Sequence, residues 1–287
     1  MKMTTDFERI RKVLMLEGEP DRVPLAELII DTVIQEQFLG RKILSIKDSI
    51  EFWQKAGYDY IRIVPPYTFN MEKTMIKSDD GRTWPDESKG IINTIEDFEK
   101  HKWQKLREID FSCYEISSKN MPEGMKIIIG AGDIFTHTWE LMGFENFSIA
   151  TVENPELVKL LFEKIGNHIY GVIKTCLDFD NIGAIWYSDD LAYTEGLLVS
   201  PKIYREYLFP WVKKIGDLAK KHNIPYLYHT DGVLWEIFDD LIACGVNAIH
   251  PIEPKAMKLE EVKKKYGENY KTMLEATFEY GKYPINI

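Results

Sequence analysis

The sequence predicts an α/β fold, a TIM-type (β/α) barrel that is incomplete at its C-terminal end, and three observations favour it. Candidate strands alternate with helical segments along the chain, which is typical of parallel sheets. The strands are nearly continuous apolar runs, as expected where both faces of a sheet are covered. A GxGxxG motif or a P-loop would favour an open nucleotide-binding sheet, and the sequence has neither. With at least six such units in one domain, a barrel is favoured.

Six short apolar segments, each bounded by polar or turn residues, are the predicted strands. They are 23–30 (VPLAELII), 58–64 (YDYIRIV), 125–132 (MKIIIGAG), 181–189 (NIGAIWYSD), 224–230 (IPYLYHT) and 246–252 (VNAIHPI). After the second of these, the stretch TMIKSDDGRTW has an Asp-Gly turn between two β-type segments. This pattern predicts a β-hairpin insertion after the second strand.

Two helix starts are marked by a capping residue that is followed by proline at the first helical position. Asn154-Pro155 precedes apolar residues at helical spacing, and Ser200-Pro201 precedes a second such stripe that ends at Asn223. We expect both helices to connect neighbouring parallel strands.

The C-terminal part of the chain is expected to leave the barrel incomplete. Only eleven residues follow Ala276, whereas each crossover to a further parallel strand takes about a dozen residues. We therefore predict six or at most seven strands, in a single domain that spans 1–287. Because such a sheet has unpaired edges, we also expect a homodimer that covers the gap.

Composition excludes several classes of function. The 287 residues carry a net charge of −10, from 36 basic and 46 acidic residues, which argues against binding of nucleic acid. The N-terminal segment has no apolar signal-peptide core, and no apolar run approaches the length of a membrane span. Three widely spaced cysteines without a CxxC motif indicate free thiols in a reducing compartment. These features predict a cytoplasmic protein.

Four successive predicted strands end in acidic, imidazole or hydroxyl side chains. In a (β/α) barrel the active-site groups lie at the carboxyl ends of the strands, so these side chains are expected to converge on one rim. They are Asp133, His137 and Glu140 after the third strand, Tyr187, Ser188, Asp189 and Asp190 at the fourth, His229 and Asp231 at the fifth, and His250 and Glu253 at the sixth.

Several of these residues also have a structural interpretation. Asp133 and Asp231 are favoured helix N-caps, and each precedes a predicted helix start. Asp189 and Asp190 are alternatively solvated loop acids, although they directly follow a buried strand. His250 lies between Ile249 and Pro251, where a hydrogen-bonded core histidine is expected rather than a ligand.

His229 is the residue for which a functional interpretation is strongest. It ends an apolar strand just before a helix start, and Asp231 points to the same side because side chains alternate along a strand. In a barrel, Glu253 would lie on the neighbouring strand. One imidazole with carboxylates suits zinc with an open coordination position. The alternatives are acid–base groups or contacts to a substrate.

The motifs around these strand ends resemble the uroporphyrinogen decarboxylase superfamily. The similar segments are YSDDLAYTEGLLVSPKIYREYLFPWVKKI, IPYLYHTDGVLWEIFDDLIACGVNAIHPIEP, the early EPDRVPL and the central GAGDIFTHTWELMGFENF. The resemblance is greatest to the branch of cobalamin-dependent methyltransferases. It implies a (β/α) barrel with its site at the carboxyl rim.

The resemblance to the methyltransferases implies a component that moves a methyl group between a separate corrinoid protein and a small-molecule donor or acceptor. In that branch a His-x-Cys motif and a later cysteine hold zinc. His229 and Asp231 stand at the matching positions here, and no cysteine follows Cys244. We therefore expect His229 and Glu253 as metal ligands, with Asp190 and Asp231 as catalytic acids.

Two other functions remain open at this stage. The first is decarboxylation of uroporphyrinogen in porphyrin biosynthesis, with Asp189 or Asp190 holding pyrrole N–H groups; the missing arginine in the first strand and the prolines in RIVPPYTF argue against it. The second is a non-catalytic barrel that binds a tetrapyrrole or a partner protein.

The substrate side of the rim is expected to form one pocket. We predict that His229, Asp189 and Glu253 converge on it, that Trp139 and Tyr187 are among its walls, and that His137 also contacts substrate.

Overall fold

A computed structural model describes residues 4–71, 75–77, 83–85 and 89–267 of the chain. The strands within this part are β1 (Tyr60–Ile63), β2 (Met75–Lys77), β3 (Thr83–Pro85), β4 (Lys126–Gly132), β5 (Ile182–Ser188), β6 (Ala192–Tyr193), β7 (Gly196–Leu197), β8 (Tyr226–His229) and β9 (Ala248–His250). Five of them form one parallel sheet in the order β1-β4-β5-β8-β9. Parallel strands that follow chain order are the arrangement of a barrel, whereas a doubly wound sheet reverses its order at a switch point.

The helices lie between these strands, as the alternating pattern predicts. They are α1 (Glu8–Met15), α2 (Thr32–Leu39), α3 (Ile46–Lys55), α4 (Ile95–Lys100), α5 (Ser112–Asn120), α6 (Ile134–Met142), α7 (Phe144–Glu153), α8 (Pro155–Cys176), α9 (Pro201–Ile203), α10 (Phe209–His222), α11 (Phe238–Ala243) and α12 (Leu259–Tyr266). A 3₁₀ turn spans Leu106–Glu108, and a π-helical turn, Tyr204–Leu208, joins α9 to α10. In the part of the chain described, no helix is long and apolar enough to cross a membrane.

Both predicted helix starts are confirmed. The Asn154 side chain accepts a hydrogen bond from Leu157 N at 3.3 Å, and Pro155 is the first residue of α8. Ser200 Oγ likewise accepts from Lys202 N at 3.3 Å, and α10 ends before Asn223, which has a left-handed φ of 54°. The capping residues therefore set where the crossover helices begin and end.

The incomplete α/β barrel is confirmed, but the predicted first strand is not part of the sheet. Residues 23–30 lie beside β1 but form no strand with it, and the chain bends at Leu28. A side chain of β1 bonds to the backbone of this segment instead. The Tyr60 hydroxyl accepts a hydrogen bond from Glu27 N at 2.6 Å and donates one to Glu27 O at 2.7 Å. The sheet described has β1 and β9 at its edges, and no closed barrel is seen in it. The expected seventh strand falls in 268–287, outside the described residues.

The predicted β-hairpin is present. β2 and β3 pair antiparallel, with Ile76 opposite Trp84, and the hairpin follows β1. Because 23–30 is not a strand of the sheet, the hairpin follows the first strand of the sheet rather than the second. Its Asp-Gly turn lies outside the described residues.

The two faces of the sheet carry different side chains. On the face toward the helices, the rings of Tyr187 and Tyr228 lie 5.0 Å apart and both side chains are fully buried. On the other face, which is the inside of the barrel, the ring centre of Trp186 lies 6.3 Å from that of Tyr60 and 4.9 Å from that of His250. Because side chains alternate, adjacent residues at the end of each strand point to opposite faces.

A charge network holds the amino end of β1, opposite the rim. Buried Asp59 accepts from Arg9 Nη1 at 2.9 Å, from Arg22 Nη2 at 3.1 Å and from Asp6 N at 2.8 Å. Arg9 also donates to Asp21. The early EPDRVPL segment thus stabilises the bottom of the barrel, where residues of such folds serve stability rather than catalysis.

Candidate functional site

Three side chains meet at the carboxyl ends of β5 and β8. One ligand atom from each of Asp190, His229 and Asp231 lies within 4.8 Å of the others. They converge because Ser188 of β5 pairs with His229 of β8. Side chains alternate along each strand, so Asp190, two residues after Ser188, and Asp231, two residues after His229, both lie on the inner face. The expected common orientation of His229 and Asp231 is thereby confirmed by geometry.

His229 is held in place by a second histidine. Its Nδ1 lies 2.8 Å from His250 Nδ1, so one ring donates and the other accepts, and its Nε2 lies 3.8 Å from Asp190 Oδ1. His250 is buried and packs edge-on against Trp186, as expected for a core histidine. A hydrogen bond to one imidazole nitrogen is the usual way to aim the other at a metal.

Glu253 contacts the loop after β8 and is not in the three-residue group. Its Oε2 accepts from Gly232 N at 3.2 Å, and Thr194 Oγ1 donates to Oε1 at 3.4 Å. Gly232 has a φ of 87°, and a Cβ there would lie 2.6 Å from the backbone of Tyr193. His229 and Glu253 were expected to form the metal-binding pair, but the structure groups His229 with Asp190 and Asp231 instead. The Glu253 carboxylate is hydrogen-bonded to the Gly232 turn.

Asp189 points away from the inner face, together with Tyr187. Its carboxylate accepts from Phe135 N at 2.7 Å, from Thr136 N and Thr136 Oγ1 at 2.9 Å, and from the Tyr187 hydroxyl at 2.9 Å. Asp189 thus caps the start of α6 from the neighbouring strand. Burial raises the pKa of this carboxyl to about 7. We expected Asp189 and Tyr187 to contact substrate. Both side chains instead lie on the face of β5 that packs against the helices, away from the inside of the barrel.

A second group of ionisable residues surrounds the start of α6. Asp133 has a left-handed φ of 62°, its N donates to Ser188 O, and burial raises the pKa of its carboxyl to about 6. His137 Nδ1 lies 2.9 Å from Glu140 Oε2. Burial lowers the pKa of His137, but Glu140 and Asp133 outweigh this and raise it overall. This half of the rim therefore brings together two carboxyl groups and one imidazole.

Trp139 was expected in the pocket wall with these groups. Its ring packs against Phe144 at 5.7 Å, and its buried indole N–H has no acceptor in the described part of the chain. His137 lies at the rim beside the aromatic rings of Phe69 and Tyr67, 4.8 and 6.3 Å away.

Sequence reasoning missed Arg62, which lies on the inner face of β1. Burial lowers the pKa of its guanidinium. The signal was present, since an arginine interrupts an otherwise apolar strand, YIRI. A charged side chain at such a position is rarely buried without a partner.

Two surface clefts lie away from the rim. One of about 330 Å³ lies between α8 and α10 beside Trp211 and Lys159, and one of about 250 Å³ lies beside Asn146 and Glu153. Neither includes a residue of the three-residue group, so the donor atoms at the rim are what indicate a site.

Comparison with known families matches the chain to the model described as Uroporphyrinogen decarboxylase (URO-D), over residues 56–273. This is more than half of the chain and includes all five strands of the parallel sheet. The chain belongs to the URO-D family. The matched region also contains the Asp190, His229 and Asp231 group and Arg62.

Among solved structures, this URO-D protein is similar to a methyltransferase from Methanosarcina mazei. The two are 15% identical, with a TM-score of 0.65 over 94% of this chain and 82% of the other. At this identity the similarity shows the fold alone. A search of curated proteins found no match.

The donor set of this URO-D chain fits zinc. One imidazole nitrogen and two carboxylates are zinc ligands, and metal–ligand distances of about 2.0–2.2 Å place ligand atoms about 3.3–3.6 Å apart in a tetrahedron. The 3.8 Å between His229 Nε2 and Asp190 Oδ1 is close to this spacing. Asp190 is exposed, so its side chain can move the remaining distance.

Proposed function

We propose that this chain is a methyltransferase component that moves a methyl group between a corrinoid protein and a small molecule. The observation that carries the proposal is the convergence of Asp190, His229 and Asp231 on the inner rim of a URO-D barrel. The likeness of fold to a methyltransferase supports it. The sequence lacks the DxHxxG corrinoid-binding pattern, so a separate partner would supply the corrinoid.

In this proposal Asp190, His229 and Asp231 would hold zinc at the rim. A zinc ion bound there would supply a Lewis acid for a thiol or a methyl-bearing oxygen of the substrate. His250 keeps the ring of His229 oriented through the 2.8 Å contact between their Nδ1 atoms. Glu253 holds the Gly232 turn, and with it the backbone that carries Asp231.

Decarboxylation of uroporphyrinogen is less well supported by the geometry. An aspartate that binds pyrrole N–H groups must have free acceptor positions facing the substrate. Asp189 accepts four hydrogen bonds on the helix side of the sheet, which leaves only Asp190 for that role. Incubation with uroporphyrinogen would overturn the proposal if coproporphyrinogen were formed.

Zinc binding is the first test. We expect protein purified without chelator to contain about one equivalent of zinc, and His229→Ala to lose it. His222→Ala is the matched control, since His222 is exposed at the end of α10. Less than about a tenth of an equivalent, together with no binding on titration, would exclude the metal version and favour a non-catalytic binding barrel.

Methyl transfer is the second test. With methylcobalamin and a thiolate, transfer gives a thioether and cob(I)alamin, so the two electrons of the cobalt–carbon bond stay on cobalt. We expect cob(I)alamin absorbance to rise faster with zinc-loaded protein than with the His229→Ala variant. Equal rates for the two proteins would refute a catalytic role of this group.

A further inference from the structure

Arg62 lies inside the barrel in a slot that the neighbouring strand leaves open for it. Arg62 is paired with Ile128 of β4. Its side chain extends toward the carboxyl end of β4 and lies over Gly130, two residues after Ile128. A Cβ at Gly130 would lie 2.7 Å from Arg62 Cζ and 2.9 Å from its Nε. Glycine on β4 therefore allows the planar guanidinium to lie flat against the strand.

The hydrogen-bonding capacity of this guanidinium is largely unused by the part of the chain that the structure describes. Within that part, one of its five N–H groups donates, to Leu28 O at a long 3.4 Å. Its Nε is shielded from solvent and has no acceptor among the residues that the structure describes. Buried polar groups are almost always hydrogen-bonded, so the shielded Nε of this half-buried arginine indicates that its partner is a ligand.

The rim acid Asp133 is not that partner. Asp133 acts on Arg62 through its field, but no hydrogen bond joins them in the described part of the chain. Asp133 is instead bound to β5, where Ser188 Oγ donates to its Oδ2 at 3.4 Å. The guanidinium therefore lies over Gly130 on the inner face of the sheet, without a carboxylate partner among the described residues.

We propose that Arg62 binds the carboxylate of a small substrate that enters the barrel from the rim. The planar fork of arginine matches a carboxylate with two parallel hydrogen bonds, which also fixes the ligand's orientation. If the proposed methyl transfer is correct, on which this part rests, then the methyl donor or acceptor carries a carboxylate. The Asp190, His229 and Asp231 group would act on the other end of that molecule.

The test compares carboxylates with their neutral amides by calorimetric titration. The probes are benzoate against benzamide and acetate against acetamide. We expect at least one carboxylate to bind while its amide does not, and Arg62→Met to weaken this binding about tenfold or more. Arg62→Lys should retain part of it, since lysine keeps the charge but not the fork.

Two further variants separate a binding role from a structural one. Gly130→Ala keeps the arginine but displaces its guanidinium, and should also weaken carboxylate binding. Arg107→Met removes the same charge from an exposed 3₁₀ turn and should change nothing. Thermal unfolding of each variant identifies loss of folding, and if Arg62→Met unfolds, Arg62→Lys and Gly130→Ala carry the test.

Three results would overturn the proposal. They are equal binding of carboxylates and amides, absence of binding by all four probes at millimolar concentration, and carboxylate binding that is the same in Arg62→Met. A change confined to the pH dependence of stability would show that Arg62 serves only as a counter-ion for Asp133. Zinc content, measured on the same samples, reports separately on the proposed function.

Discussion

Replacing Asp189 by alanine should destabilise the fold without directly removing a metal ligand. The change leaves Phe135 N and Thr136 N, in the first turn of α6, without the carboxylate that accepts from them. The hydroxyls of Thr136 and Tyr187 can rotate to other acceptors, but these two backbone groups cannot. Asp190, the next residue, is exposed and points to the opposite face.

The magnitude follows from the two backbone groups. A buried donor without an acceptor costs about 1–3 kcal/mol, so we expect Asp189→Ala to lower the free energy of unfolding by about 4 kcal/mol. At about 2–4 °C per kcal/mol for a chain of this size, the melting temperature should fall by about 10 °C. Asp190→Ala, as an exposed substitution, should change stability by no more than about 0.5 kcal/mol.

The assay is thermal and urea unfolding, followed by circular dichroism, with zinc binding measured on the same proteins. We expect the two adjacent substitutions to change different properties: Asp189→Ala lowers the free energy of unfolding, and Asp190→Ala lowers the affinity for zinc. If Asp190→Ala destabilises as much as Asp189→Ala, or if Asp189→Ala melts like the unchanged protein, then the assignment of the two faces is wrong.

Three other predictions concern pH, the histidine pair and assembly. Burial raises the pKa of Asp133 to about 6, above the ordinary 3.8, so its contribution to stability is fully present below pH 3.8 and is lost as pH rises through about 6. Asp133→Asn should therefore flatten the dependence of melting temperature on pH across that interval, and an unchanged slope would contradict this. His250→Phe keeps the buried volume but removes the nitrogen that orients His229, so zinc affinity measured by competition titration should fall about 10–100-fold; an unchanged affinity would remove His250 from the site. The homodimer that covers the open edges of the sheet remains a prediction: sedimentation equilibrium should give twice the mass of one chain, whereas a monomeric protein would end this expectation.

Much of the fold follows from local sequence patterns. Apolar runs and proline caps predict the strands and helix starts because they depend on neighbouring residues alone, and the family motifs predict the barrel. The segment 23–30 shows the limit of this reasoning. Its apolar pattern is that of a strand, but the N–H and C=O of Glu27 at its centre bond to the Tyr60 hydroxyl. No local pattern reveals which partner such a segment finds.

The candidate site shows the same division. Alternation along one strand was sufficient to predict that His229 and Asp231 point the same way. Whether Asp189 or Asp190 faces the interior depends on how β5 is registered against β4 and β8, and either choice suits the sequence equally well. The position of the Arg62 guanidinium over Gly130 and the contact of His229 with His250 each join residues of two different strands. The sequence by itself therefore determined the family, the element types and the chemistry available at the strand ends, and only the tertiary structure decided which of those groups meet, because register and face are properties of pairs of strands.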